Sequence, residues 1–471
     1  MPATAPTFKL ATNITETYNA VNPEQPLLPG DPRYVDCAPV RGDEHIVNMI
    51  AQRIIRAEAA KPVQHLKQLL AGHRGCGKST ELLLLKDRLE REGFFVVYFD
   101  AALEIDMNDV DYADILLAMM RQLDLQVRES PLGLQLDAGR LDDLAMRLAK
   151  VTLEKEDRNL VENTLETEFR VEPQIPFFAK MMAAVRGFLT SGSTYKKQLR
   201  VEIQQRTAQF LEDLNDLIDK LQQQLRERGK EGLVIIIDSL DRIIPHPLDD
   251  KGWRTTHSAI YLEHADHLKA PHCHAIYTVP ISIYFNENLS KAYPDLPLML
   301  PMIKIREENG TICAAGLEAM RRVVDRRVEI ETVFADAKSV DKLCLASGGH
   351  VRDLMHLIRY ACDYSAEQIT PLAVDKAIRA LVREYDRLVK DADLPRLVRI
   401  HREKRLPSDA EYALLPYHLI VLEYQNGERW ADVHPAVQET RKFQEAWENE
   451  PKALPQKPAA KAGRKTRRAG R

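Results

Sequence analysis

Cysteine is scarce in this chain: six in 471 residues (Cys37, Cys76, Cys273, Cys313, Cys344, Cys362), with no CxxC pair and no metal-ligand spacing. That excludes a disulfide-stapled scaffold and a zinc module, and makes reduced thiols of a cytosolic protein the expectation. The sequence also lacks an apolar run of about 18 residues and a basic segment leading into an apolar stretch. Membrane spanning and secretion therefore have no support, and a cytoplasmic location is expected. Nor is there a large excess of either charge: the formal net charge is −4 with 29% charged residues, so polyanion binding by the whole surface is excluded and any nucleic-acid contact must be local. At this length, with 45% hydrophobic residues, two or three domains are expected rather than one core.

Along the chain, residues 1–40 are rich in Pro, Thr and Asn and carry a turn signal at Pro29 to Pro32, which marks a lead-in segment. From Arg41 a helical pattern begins, with Ile46, Met49, Ile50, Ile54 and Ile55 on one face. Val63 to Leu70 reads as a strand entering a glycine-rich loop. Ser79 to Arg91 reads as a helix closed by Gly93, Phe94 to Phe99 as a buried strand, and Tyr112 to Leu123 as a helix. Strand signals vanish over about 126–231, an apparent helical insertion whose last part, Gln198 to Arg228, is one long charged helical stretch. Leu233 to Ile237 and Ala275 to Val279 restore strands. The expectation is an α/β fold with a parallel sheet over 41–310, a helical lid over 311–390, and a C-terminal unit over 391–450. In that unit Leu419 to Tyr424 and Glu428 to Val433 flank the hairpin signal Asn426-Gly427. Residues 451–471 form a tail with seven basic residues from Lys457 onward and no acidic one, expected to be disordered.

Two motifs carry chemistry. Gly72-His73-Arg74-Gly75-Cys76-Gly77-Lys78-Ser79, followed by Thr80, matches GxxxxGK[ST] after a strand and before a helix. Glycines there let successive N–H groups converge on phosphate oxygens, and the helix adds its positive end. Lys78 then reaches the β/γ-phosphates and Ser79 offers its hydroxyl to Mg²⁺. The second motif is Leu233-Val234-Ile235-Ile236-Ile237-Asp238, an apolar strand ending in a carboxylate, 160 residues after Lys78. Asp238 is the expected second metal partner. Ser239 stands where many hydrolytic relatives place Glu, so Asp241 becomes the candidate base and slow turnover is expected.

These residues resemble the AAA+ and STAND (signal-transduction ATPase) branches of P-loop NTPases, with element order similar from roughly Arg41 to Val437. The resemblance implies a three-layer P-loop sandwich, a helical lid and a C-terminal winged-helix-like domain, with ATP and Mg²⁺ as cofactors. Arg41-Gly42-Asp43-Glu44 resembles the segment that lies near adenine in those branches, or is a surface turn with a helix cap. Gly348-Gly349-His350-Val351-Arg352-Asp353-Leu354 resembles the sensor 2 element. That implies Arg352 as a γ-phosphate sensor, the alternative being a solvated arginine paired with an acid. Thr278 occupies the sensor 1 place, or is an ordinary strand threonine; Arg306 competes with several arginines as a finger toward a neighbouring subunit. Asp432-Val433-His434 resembles the STAND histidine motif that touches a β-phosphate, or holds a structural His434.

The Asp238-Ser239-Leu240-Asp241-Arg242 form resembles the slow STAND switches more than AAA+ motors. The expected function is accordingly an ATP-binding, slowly hydrolysing regulatory switch with a protein partner or self-assembly. The alternatives are a DNA-binding initiator or loader using the winged-helix region and the basic tail, and an ATP-binding scaffold without turnover. ATP over GTP follows from the resemblance, since no Asn-Lys-x-Asp guanine motif is present.

Overall fold

A computed structural model describes residues 8–450 apart from 43–44, 135, 137, 192, 251–253 and 287. Among the described residues there are seven strands: β1 (Lys67–Gly72), β2 (Phe95–Asp100), β3 (Leu233–Asp238), β4 (His274–Thr278), β5 (Leu298–Leu300), β6 (Val421–Asn426) and β7 (Glu428–Val433). The first five form one sheet in the order β2-β3-β4-β1-β5, every pair parallel. Its strands are almost continuously apolar because both faces are covered. Alternate residues divide between two cores, as a period of two requires. Val97, Phe99, Ile235, Ile237 and Tyr277 pack toward the helix Tyr112–Glu129 and the inserted helices. Val96, Val234, Ile236 and Ile276 pack toward the helices Ile46–Glu58 and Lys78–Arg91. The result is the α/β fold that the sequence implied, a parallel sheet between two helical layers.

Local differences from the sequence reading have physical reasons. The first strand starts at Lys67, where it meets Ala275 of β4, and not at Val63. Gln198 to Arg228 is two helices, Thr194–Gln205 and Thr207–Glu227, because Arg206 leaves helical geometry (φ −128, ψ 34). Strand β5 has only three residues, too short for any periodicity to announce it.

A third core joins segments that the sequence reading kept apart. Ala11, Val21 and Cys37 of the N-terminal stretch, Val323 and Val324, Leu354 and Ile358, Leu381 and Tyr385, and Leu397 and Val433 share it. The hairpin β6–β7 lies between this core and the sheet core. Val421, Ala431 and Val433 face the former, while Leu422, Tyr424 and Trp430 face the latter. Its turn closes on Gly427 (φ 72), as the Asn-Gly signal predicts. Among the described residues all six cysteines are free and buried, and no helix is long and apolar enough to cross a membrane. The basic run Lys457 to Arg471 lies outside the described residues.

Candidate functional site

β1 ends at Gly72, the loop turns through glycines with positive φ at 75 and 77, and the helix Lys78–Arg91 starts on Gly77 as its cap. Gly75 is required sterically as well as by its φ of 81, since a Cβ there would stand 2.7 Å from both Arg352 Cβ and His350 Nε2. Lys78 is buried and curls back over the loop. Its Nζ donates to Gly72 O (2.9 Å) and His73 O (2.8 Å) and pairs with Asp241 Oδ2 at 2.9 Å. Burial works against its charge, but Asp241, with Cys76 and Asp238, more than offsets this and holds the lysine pKa above its usual value.

This is a P-loop fold. No family model matches the chain, and no curated protein does. Among solved structures it is similar to the ORC2 protein of Aeropyrum pernix, solved as ADPNP–ADP complexes (11% identity, TM-score 0.40, covering 86% of this chain and 92% of that one). It is also similar to the Walker-type ATPase paby2304 of Pyrococcus abyssi (12%, TM-score 0.39, 88% and 98%) and to Cdc6p of Pyrobaculum aerophilum (11%, TM-score 0.34, 92% and 98%). All three pairs share at most 12% identity.

The loop forms one wall of a cleft lined by Arg74 to Glu81, by Asp100, Asp238 and Asp241 at the sheet edge, and by Val351, Arg352 and Met355 of the helix Val351–Asp363. Asp238 is buried and accepts from Tyr98 Oη (2.8 Å), from the Ser239 N–H (2.6 Å) and from the Ser79 hydroxyl. Burial and the nearby Asp241 charge raise its pKa above the ordinary carboxylate range. Ser79 and Asp238 are therefore in contact and present only oxygen donors, which suits Mg²⁺. Among the described residues no three His, Cys, Asp or Glu side chains form a closed metal site, so an ion here would take further oxygens from phosphate and water.

The other wall is unexpected. Residues 22–27 with Tyr34, Val35 and Cys37 line the cleft, and the Leu27 N–H donates to Thr80 Oγ1 at 3.1 Å. The N-terminal stretch is thus part of the site rather than a lead-in, and the aromatic-apolar pair Tyr34-Val35 amid prolines was its one sequence signal. Arg41 is buried and joins two backbones, donating to Cys76 O and Pro301 O, both at 2.6 Å. A Cβ at Gly42 would stand 3.3 Å from Gln425 Cγ of β6, while Asp43 and Glu44 lie outside the described residues.

Arg352 stands in the first turn of its helix, against Gly75, with its Nε 3.7 Å from Glu24 Oε1. Thr278 does not line the cleft. Its buried hydroxyl accepts from the Leu240 N–H (2.9 Å) and approaches Ile237 O (3.3 Å), bracing the turn that carries Asp241. Arg306 is exposed on a turn outside the cleft and donates to Gly310 O at 3.0 Å. His434 is wholly buried, accepts from the Ala436 N–H (3.0 Å) and stacks on Tyr385, which is the structural alternative.

The x positions of the loop motif, silent in the sequence, make a second set of contacts. His73 is fully buried; its Nε2 accepts from the Glu423 N–H of β6 (2.9 Å), so its Nδ1–H donates to Pro416 O (3.1 Å). Burial and the His350 charge push its pKa down to about 3. Arg74 O accepts from His350 Nε2 at 2.6 Å. His350 Nδ1 meets Asp353 Oδ1 (3.0 Å), and Asp353 Oδ2 meets His434 Nε2 (3.2 Å) and Tyr385 Oη (2.8 Å). Burial alone would raise the Asp353 pKa, but His350 and His434 outweigh it and hold that carboxyl well below its usual range.

Proposed function

We propose that this chain is an ATP-binding regulatory switch of AAA+/STAND type that hydrolyses ATP slowly and changes conformation or assembly with the nucleotide. The observation that carries this reading is the bonding of the phosphate loop to the C-terminal hairpin and the lid helix through His73 and His350. A phosphate group pulling on Lys78, which Asp241 still holds, would shift loop atoms that the hairpin and lid are bonded to, which couples ligand charge to the C-terminal unit. In this reading the N–H groups of Gly75 to Thr80 and Lys78 hold the phosphates, and Ser79 and Asp238 hold Mg²⁺. Arg352 faces the γ-phosphate from the lid, Asp241 holds Lys78, and Thr278 supports the turn beneath. Bound Mg²⁺ would supply charge neutralisation at the β- and γ-oxygens.

The test is mass and hydrodynamic size with ADP and with a non-hydrolysable ATP analogue, beside steady-state hydrolysis by the parent and Lys78→Ala. A nucleotide-dependent change in shape or assembly is expected. Identical size in both nucleotides defeats the switch, and parent turnover no greater than that of Lys78→Ala defeats the enzyme.

A second reading, DNA binding, is favoured by one feature. On the helix Pro371–Leu388 the exposed cations Lys376, Arg379, Arg383 and Arg387 recur at three- and four-residue spacing, so they share a face. The acids of that helix are engaged elsewhere: Asp375 with Lys342, Glu384 with Tyr360, and Asp386 with Lys442. Binding of duplex DNA that weakens steeply with salt and is lost on reversing these four charges would support it. No binding at low salt would remove it.

A further inference from the structure

We infer that Asp100, at the end of β2, is the carboxylate that orients the water attacking the γ-phosphate, the role that Ser239 leaves unfilled. The inference rests on the reading of the cleft as an ATP-hydrolysing site.

The register of the sheet sets Asp100 directly beside Asp238 on the neighbouring parallel strand. Adjacent strands lie about 4.8 Å apart, so the two carboxylates stand side by side at the same sheet edge. Tyr98 shares the face of β2 with Asp100, and its hydroxyl already reaches Asp238, which turns this face toward the cleft.

Of the five acids lining the cleft, four are occupied. Asp241 is paired with Lys78, Glu24 lies against Arg352, Glu81 meets Tyr34 Oη at 3.5 Å, and Asp238 holds the hydroxyls of Tyr98 and Ser79. Asp100 uses one oxygen to accept from the Ala102 N–H (2.9 Å) and, among the described residues, meets neither a cation nor a hydroxyl. Its other oxygen is free to accept a hydrogen bond from water. Asp241, the base expected from the sequence, is committed to the lysine. Ser239, buried with a left-handed φ of 65, carries only a hydroxyl, so that position presents no carboxylate.

The step balances as a hydrolysis. The water oxygen forms a bond to the γ-phosphorus, the bond to the β,γ-bridging oxygen breaks with its electron pair leaving on ADP, and the water proton passes to Asp100 and on to solvent.

The experiment compares the parent with Asp100→Asn, which keeps the acceptor for the Ala102 N–H, and with Asp241→Asn. The dissociation constant for a fluorescent ATP analogue and kcat are measured from pH 5.5 to 8.5. Asp100→Asn is expected to bind within about threefold of the parent and to lose at least tenfold in kcat, as general-base loss typically costs 10²–10⁴. Asp100→Glu is expected to recover part of that loss. Full turnover in Asp100→Asn overturns the inference while leaving the ATPase reading intact. So does loss of turnover confined to Asp241→Asn. A parent no more active than Lys78→Ala overturns both. Loss of analogue binding by Asp100→Asn together with no recovery in Asp100→Glu assigns Asp100 a structural role and also overturns the inference.

Discussion

Replacing His73 by Gln tests whether the phosphate loop and the C-terminal hairpin are one mechanical unit. In the parent the ring must be neutral, because Nε2 accepts from Glu423 while Nδ1 donates to Pro416. Its pKa is about 3 when folded, against an ordinary imidazole value of about 6.5. The unfolded chain therefore binds this proton more readily below pH 6.5. The stability contribution is fully present above that pH and is lost progressively as pH falls toward 3. Between pH 7.5 and 5.5 the linked loss is about 1.4 kcal/mol, from one pH unit spent below the unfolded pKa. His65 and His257, each depressed to about 4 chiefly by burial, titrate in both proteins and cancel in the difference. Urea unfolding of parent and His73→Gln at the two pH values measures it. The parent should lose about 1.4 kcal/mol more than the variant over that interval. In the same samples the Glu423 amide should exchange faster with solvent in the variant. Equal pH dependence in the two proteins, with equal Glu423 exchange, refutes the bonded bridge.

Three further outcomes follow from named contacts. Gly349→Ala, whose Cβ would lie 1.8 Å from Ile303 O at a φ of 80, should lower stability by more than about 3 kcal/mol by urea titration. Thr278→Val removes the acceptor of the Leu240 N–H and should cost about 1–3 kcal/mol while leaving nucleotide affinity within experimental error. A large affinity loss would restore the direct sensor role. Asp353→Asn weakens the buried junction of His350, His434 and Tyr385; about 3 kcal/mol of stability should be lost, with weaker nucleotide binding as His350 loses its orientation on Arg74 O. A cost under about 1 kcal/mol would remove the junction from the account.

The elements bearing the phosphate motif were legible because their signals are local. An apolar run ending in Gly72 and a lysine-serine pair opening a helix need no tertiary information, and Leu233 to Asp238 is as explicit. What escaped depends on contacts between distant residues. Nothing in Val63 to Leu66 says that pairing begins only where Lys67 meets Ala275. The loop motif leaves its x positions free because phosphate does not use those side chains, so the bond from His73 to Glu423 has no sequence trace. Residues 22–27 with Tyr34, Val35 and Cys37 enter the cleft by position rather than by motif. Asp100 becomes a candidate only once the register places it beside Asp238, across an insertion of five helices.

The strand order also governs how the molecule can be born. Among the described residues β1, which feeds the phosphate loop, pairs only with β4 and β5. Those partners emerge roughly 200 residues later, a delay of about 10–40 s at ordinary synthesis rates. Through that interval Leu69, Leu70 and Ala71 have no strand to pair with, while the helices from Tyr112 to Glu227 can condense on local contacts. Fragments ending before His274 consequently lack both strand partners of β1, the strand that feeds the phosphate loop. During synthesis the cell must keep β1 from foreign strand edges.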